Sequence, residues 1–225
     1  MAAYRIPGIL CVTTAEPIDE GTLCLRRSPS PGTICIASYS IPRSEERHWY
    51  MMSLLNGISP SLLQASPDAI KLLKGVESLR LEPYDDQTGS DIVRWVAGAT
   101  IGYGHLVAST EWGRFKNGVE ESQADSLFTA DIEPYQDAVR EHITVNLQQY
   151  QYDAFLLLAY NIGIPHFGAS SVVKLVNKPT AVTGFASLET AWKAWNTSQG
   201  KVMKGLDNRR NCEWKLYTRA VYERW

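Results

Sequence analysis

The chain has 225 residues, of which 44% are hydrophobic and 20% charged, and its formal net charge is −2. This length suits one domain with an extension or two small domains, and the composition can supply a sizeable core. The nearly balanced charge excludes the basic field that holds proteins on nucleic acid or anionic lipid, so we expect no nucleic-acid partner. Because no apolar run approaches the roughly 18 residues of a membrane span, we expect no such span.

The first 43 residues contain short β-rich runs that are separated by Ser, Pro and Gly turn signals. These predicted strands are residues 8–13, 22–25 and 33–41. The apolar patch at residues 6–12 is interrupted by Pro7 and Gly8, which makes it a poor signal peptide. We therefore expect the protein to be made in the cytoplasm without a cleavable signal.

A helix is predicted next, over residues 45–56, because Ser44 can cap its start and Gly57 can stop it. We assign residues 1–64 to an N-terminal extension of short β-rich runs plus this helix. Residues 65–225 form the predicted main domain.

The main domain opens with a helix that ends in a carboxylate. Ser66 is a good N-cap and Pro67 a good first helical residue. The apolar arc of this helix is predicted to contain Ile70, Leu72, Leu73, Val76 and Leu79. At about 100° per residue, Glu77 falls at the rim of that arc. Half-burial raises the pKa of a carboxyl group, which is how an enzyme keeps a glutamic acid protonated near neutral pH.

Two further polar residues follow Glu77. Asp86 lies nine residues on, and Thr100 opens the run T-I-G-Y-G-H, which ends at His105. Together these residues resemble the signature of the phage-type lysozymes, glycoside hydrolase family 24. The resemblance implies that Glu77 is the general acid, and that Asp86 and Thr100 hold and activate the water that attacks the sugar.

The spacing departs from the family pattern, since its members usually place the threonine closer to the aspartate than the fourteen residues found here. We interpret the extra residues, 90–97, as a lengthened β-hairpin in which the alternating run 91–96 forms strand and the bases of both strands are kept. Within it, Trp95 is a candidate to extend the sugar platform by stacking. Because of the insert, Asp85 and Asp91 are alternatives to Asp86, which we prefer.

A helical pattern over residues 120–142 is similar to the long helix that joins the two lobes in this family. Pro134 removes a backbone hydrogen bond and is expected to kink it. In the family, the positions of His105 and Asp131 form a salt bridge between lobes. We therefore expect His105 to be structural, and neither catalytic nor a metal ligand.

Residues 151–163 and 205–217 resemble two later blocks of the family. The residues implied in substrate binding are Leu106, Tyr160, Asn161 and Arg209. An amide donates and accepts hydrogen bonds at once, which suits an N-acetyl group, and Arg209 is expected to reach Glu77. Alternatively, Tyr160 is a core residue and Asn161 a helix-end residue. Residues 191–195 are predicted to be a buried helix.

The resemblance implies a mainly helical α+β fold with two lobes, namely a small β-hairpin lobe and a helical C-terminal lobe joined by a long helix. It implies a muramidase that cleaves the β-1,4 bond between N-acetylmuramic acid and N-acetylglucosamine in bacterial peptidoglycan with inversion. A lytic transglycosylase and an inactive peptidoglycan- or chitin-binding module are the alternatives. The chain has no H-E-x-x-H motif and no nucleophile elbow. We expect no cofactor and no metal.

Two biological settings fit such an enzyme, a phage endolysin and a delivered antibacterial toxin or bacteriocin. The N-terminal extension, the insert and the acidic pI of about 6.1 favour the toxin. An immunity protein and a delivery machinery are then expected partners. In either setting we expect a monomer that acts in the periplasm or cell wall after release or injection.

Overall fold

A computed structural model describes residues 57–225 and the backbone of three strands nearer the start. These strands, β1 (Ala15–Asp19), β2 (Thr22–Leu25) and β3 (Tyr39–Ser40), form an antiparallel sheet in that order. Strand β2 coincides with a predicted run and β3 lies inside another, whereas β1 falls between the predicted runs. The predicted strand 8–13 and helix 45–56 lie outside the described residues.

The described helices begin with α1 (Pro67–Val76), α2 (Trp112–Phe115), α3 (Glu121–His142) and α4 (Gln149–Ile162). They continue with α5 (Ile164–Ala169), α6 (Ser171–Asn177), α7 (Leu188–Lys193) and α8 (Lys204–Arg219). Short 3-10 helices span Pro60–Leu62 and Ser109–Glu111. A small hairpin, β7 (Thr197–Ser198) and β8 (Lys201–Val202), precedes α8. This composition confirms the predicted mainly helical α+β class.

A second antiparallel sheet carries part of the predicted site. Its strands are β4 (Arg80–Asp85), β5 (Ala99–Gly102) and β6 (His105–Leu106), in that order. The register places Tyr84 beside Thr100, and Thr100 beside Leu106. Since side chains alternate between the faces of a strand, these three residues share one face of the sheet. The other face covers a small core that includes Ala99 and Ile101.

The predicted strand over residues 91–96 is wrong. This segment makes one isolated bridge, between Asp91 and Tyr84, and Val93 is 95% exposed. The Ile92 amide donates to the carbonyl of Pro83 at 3.0 Å, but Pro83 has no N–H to return the bond. A ladder therefore cannot continue along that edge of β4. The bases of the hairpin, β4 and β5, pair as predicted.

The main core is built around α4, which packs most extensively against α8 and α3. Residues 152–159 of α4 are all buried, and Trp192 of α7 is fully buried beside them. The predicted buried helix at 191–195 is partly confirmed, because α7 ends at Lys193 and Trp195 is half-buried. None of the helices in the described part of the chain combines the length and apolar composition that a bilayer crossing requires.

Local signals explain where two helices begin. The hydroxyl of Ser66 accepts a hydrogen bond from the Ala69 amide at 3.1 Å, so the predicted cap of α1 is confirmed. Helix α3 begins with a capping box at Glu120 and runs without interruption through Pro134. It therefore confirms the predicted long helix, and the kink expected at Pro134 stays a prediction.

The residues just before α1 pack on the main domain. Ile58 and Leu147 exchange backbone hydrogen bonds of 2.8 and 2.9 Å, and Leu63 belongs to the main core. Residues 58–63 thus make contacts with the part of the chain that we assign to the main domain. The division at residue 64 stays a prediction.

Candidate active site

Glu77 is the C-cap of α1, where the chain leaves the helix in an extended conformation. Its amide still donates to the Leu73 carbonyl at 3.2 Å, so the end of the helix fixes its backbone. The side chain is half-buried, and this burial raises the pKa of the Glu77 carboxyl above its ordinary value. The charge of Arg209 and the nearby hydroxyl of Tyr160 act in the opposite direction, and burial outweighs them.

Asp86 lies in the turn after β4 and is exposed. Its amide donates to the carbonyl of Gly98 at 3.0 Å. The negative charge of Asp86 contributes to raising the pKa of the Glu77 carboxyl and of the Tyr84 hydroxyl, after the larger effect of burial on each. The structure therefore brings Asp86 within electrostatic reach of Glu77.

The two alternative aspartates hold the surrounding loop. The carboxylate of Asp85 accepts hydrogen bonds from the Gln87 amide at 3.0 Å and the Thr88 hydroxyl at 3.1 Å. Asp91 forms an ion pair with Arg80. By contrast, no described residue donates a hydrogen bond to the Asp86 carboxylate. This difference favours Asp86 as the carboxylate that is available to a water molecule.

Thr100 lies in the middle strand β5 and is 3% exposed. Its hydroxyl donates to the Gly98 carbonyl at 2.9 Å. Gly98 was not among the predicted site residues, because its contribution is a backbone oxygen rather than a side chain. Leu106, on the same face of the sheet, is 66% exposed.

Tyr160 and Asn161 lie near the end of α4. Tyr160 is half-buried, and burial together with the charge of Glu77 raises the pKa of its hydroxyl. Its ring packs 5.1 Å from that of Tyr135, so it belongs to the edge of the core as well as to the surroundings of Glu77. Asn161 is exposed, and its side-chain oxygen accepts a hydrogen bond from Arg210 at 2.7 Å.

Arg209 makes its direct contacts away from Glu77. It donates to the Glu213 carboxylate at 3.0 Å and to the Leu157 carbonyl at 3.1 Å. Its guanidinium lies 4.6 Å from the centre of the Trp225 ring. The structure shows no ion pair between Arg209 and Glu77, so in this state the arginine acts on that carboxyl through its charge.

A buried network below Asn161 was missed by sequence reasoning. Glu213, which is 1% exposed, accepts hydrogen bonds from the Trp192 indole at 3.0 Å and from Arg210 at 2.8 Å, besides that from Arg209. Two adjacent arginines on a helix are ordinarily typical of a solvated surface, so their residue types alone do not indicate burial. The available signal was the R-R-x-x-E spacing, which places the glutamate three and four residues after the arginines on one helix face.

His105 lies beside Asp131, as predicted. Its Nδ1 is 3.0 Å from both carboxylate oxygens of Asp131, which joins β6 to the long helix α3. The hydrogen bond to Asp131 raises the pKa of His105, against the opposing effect of burial. The predicted structural salt bridge is therefore confirmed.

Comparisons with known proteins identify the family. The profile of the phage lysozyme family matches residues 74–213. The endolysin of Bacillus phage PZA is 32% identical over 155 residues, which are 69% of this chain and 55% of the relative. The endolysin of Acyrthosiphon pisum secondary endosymbiont phage 1 is 30% identical over 162 residues, covering 70% of this chain and 100% of the relative. The chain spans about half the length of the two Bacillus phage endolysins that it matches.

Solved structures show the same relationship. The endolysin from Escherichia coli O157:H7 phage FAHEc1 has a TM-score of 0.55 and 30% identity, covering 72% of this chain and 98% of that one. The muramidase domain of SpmX from Asticaccaulis excentricus has a TM-score of 0.52 and 28% identity, covering 69% and 98%. These matches confirm the predicted lysozyme-like fold, and the chain belongs to the phage lysozyme family.

Proposed function

We propose that this protein is a muramidase that hydrolyses the β-1,4 bond between N-acetylmuramic acid and N-acetylglucosamine in bacterial peptidoglycan. The observation that carries the proposal is the state of Glu77. Burial raises the pKa of its carboxyl although Arg209 is close enough to oppose it. A glutamic acid in this state keeps its proton to higher pH than a solvated one, which is what a general acid requires.

In the proposed reaction, Glu77 donates its proton to the oxygen of the glycosidic bond. The bond between that oxygen and the anomeric carbon breaks with both electrons on the oxygen, and positive charge develops on the sugar ring. A water molecule held by Asp86 and Thr100 attacks the anomeric carbon from the opposite face. Asp86 takes a proton from that water, so one water is consumed and the anomeric configuration inverts.

The proposed substrate contacts are Leu106, Tyr160 and Asn161. A guanidinium has donors and no acceptor, so the Asn161 amide must direct its oxygen to Arg210. Its two N–H donors are then directed away from Arg210, which suits the carbonyl oxygen of an N-acetyl group. Arg209 supports this region indirectly, since its hydrogen bonds hold Glu213 and the Leu157 carbonyl.

The names of the similar proteins support the same substrate class, since they include several endolysins and a muramidase domain. We propose that the protein acts on the cell wall after release or injection into the periplasm. An immunity protein and a delivery machinery stay predictions. Expression with and without an added export signal tests the site of action, since lysis should require export and should be absent for exported Glu77→Gln.

The test of the reaction is mass spectrometry of fragments released from purified peptidoglycan by the wild type and by Glu77→Gln. Fragments ending in reducing N-acetylmuramic acid, absent with the mutant, are expected. Anhydro-muramic ends would indicate a transglycosylase and leave Asp86 without its proposed role. If the wild type released no fragments but bound the polymer, a binding module would replace the muramidase.

A further inference from the structure

The insert loop, residues 90–97, is attached to the sheet at both ends. Near its start, Arg80 donates to the Gly89 carbonyl at 2.7 Å and pairs with Asp91. Near its end, the indole N–H of Trp95 donates to the Val107 carbonyl at 2.9 Å. Val107 is 2% exposed and belongs to the small core under the sheet. This hydrogen bond of Trp95 therefore ties the end of the loop to the small core.

Gly98, directly after the loop, contributes one oxygen to two site residues. Its carbonyl accepts both the Asp86 amide at 3.0 Å and the Thr100 hydroxyl at 2.9 Å. The residues proposed to hold the water are thus tied to one backbone atom. Any displacement of that carbonyl changes the positions of both.

The hydrogen bond to Gly98 also decides whether the Thr100 hydroxyl donates to a water or accepts from it. A carbonyl oxygen can only accept, so the single hydroxyl proton of Thr100 is used by this bond. The lone pairs that remain on the hydroxyl oxygen can only accept a hydrogen bond from a water. An ionised Asp86 carboxylate likewise can only accept hydrogen bonds. A water that donates one hydrogen bond to each of them has a lone pair free to attack the anomeric carbon.

We propose that the insert loop is a positioning element of the active site. Trp95 anchors the loop on Val107, and the loop places the Gly98 carbonyl. By accepting the Thr100 hydroxyl proton in a hydrogen bond, that carbonyl leaves Thr100 to act as a hydrogen-bond acceptor for the water, as Asp86 does. The inference rests on the proposed hydrolytic function and extends it to residues outside the Glu77, Asp86 and Thr100 set.

Trp95→Phe tests this role against sugar stacking, because phenylalanine keeps an aromatic face, although a smaller one, and lacks the anchoring N–H. For a positioning role we expect kcat to fall about tenfold with KM unchanged, since misplacement by about 1 Å can cost on the order of 100-fold. For a stacking role, Trp95→Phe leaves both constants unchanged and Trp95→Ala raises KM. Val93→Ala is the matched control in the same loop, because Val93 is 95% exposed, and it should change neither constant.

Gly98→Ala perturbs the same oxygen directly. Gly98 has a φ of 101°, which L side chains rarely adopt, and an added Cβ would lie 3.2 Å from an Asp85 carboxylate oxygen. We expect a fall in kcat for this variant as well. In a Thr100→Val background, Gly98→Ala and Trp95→Phe should each lower kcat by a smaller factor than they do in the wild type, because the hydroxyl that they orient is gone. Thr100→Ser keeps the hydroxyl and should keep the full effect.

A measurement that needs no turnover completes the test. The Asp86 amide should exchange its hydrogen at least about tenfold faster in Trp95→Phe than in the wild type, since loss of a local hydrogen bond lowers protection. The Ile58 amide, hydrogen-bonded to Leu147 of the main core, should not change. Unchanged Asp86 exchange, or multiplicative kcat losses with Thr100→Val, would overturn the inference. Failure of the wild type to release reducing ends would instead overturn the proposed function.

Discussion

Removing the imidazole in His105→Asn should destabilise the protein more at acidic than at alkaline pH. His105 Nδ1 contacts both oxygens of Asp131 at 3.0 Å, and the side chains are 17% and 36% exposed. The pKa of His105 is raised in the folded protein. Its contribution is therefore fully present below the unfolded pKa of about 6.5 and is lost as pH rises through the folded pKa.

The size of the effect follows from this geometry. A hydrogen bond to a charged group contributes about 1.5–3 kcal/mol when buried, and partial exposure of both partners reduces this to about 1–1.5 kcal/mol. The neutral imidazole keeps an ordinary hydrogen bond of about 0.5 kcal/mol. The difference of about 0.5–1 kcal/mol corresponds to roughly 1–4 °C in Tm for a protein of this size. We expect the loss at pH 5.5 to exceed that at pH 8 by this amount.

The assay is thermal unfolding of both proteins at pH 5.5 and pH 8, followed by circular dichroism. His166→Asn is the control, because His166 bonds the backbone carbonyl of Ile162 and has no carboxylate partner in the described part of the chain. The Tm change of this variant at each pH is the reference against which the loss in His105→Asn is measured. Equal losses for His105→Asn at the two pH values would refute the reasoning.

Three further predictions concern activity and stability. Glu77→Gln should lower kcat by about 10²–10⁴-fold in a turbidity assay, the usual contribution of general acid catalysis. Tyr160→Phe removes a hydroxyl that lowers the pKa of Glu77, so the alkaline limb of the kcat/KM profile should move to higher pH. Asp153→Ala removes the acceptor of the partly buried hydrogen bonds from the Ser66 amide and the Tyr222 hydroxyl, and should lower the unfolding free energy by about 2–4 kcal/mol in urea.

Much of the scaffold was predictable because its signals are local. The Ser66–Pro67 start of α1 and the course of α3 depend on capping groups and on residues one turn apart. The hairpin before His105 follows from Gly102 and Gly104, both with positive φ. The strand predicted over residues 91–96 failed because a strand also needs a partner edge, and Pro83 interrupts the edge that faces it.

By itself, the sequence was enough to predict the family, the fold class and a candidate set of Glu77, Thr100 and a nearby aspartate, since these depend on residue types and their order. The tertiary structure decided which aspartate stays available, because Asp85 and Asp91 are used by neighbours that only the folded loop brings close. It also placed the Gly98 carbonyl between Asp86 and Thr100. Every residue carries a backbone carbonyl, so only folding can decide which one serves the site.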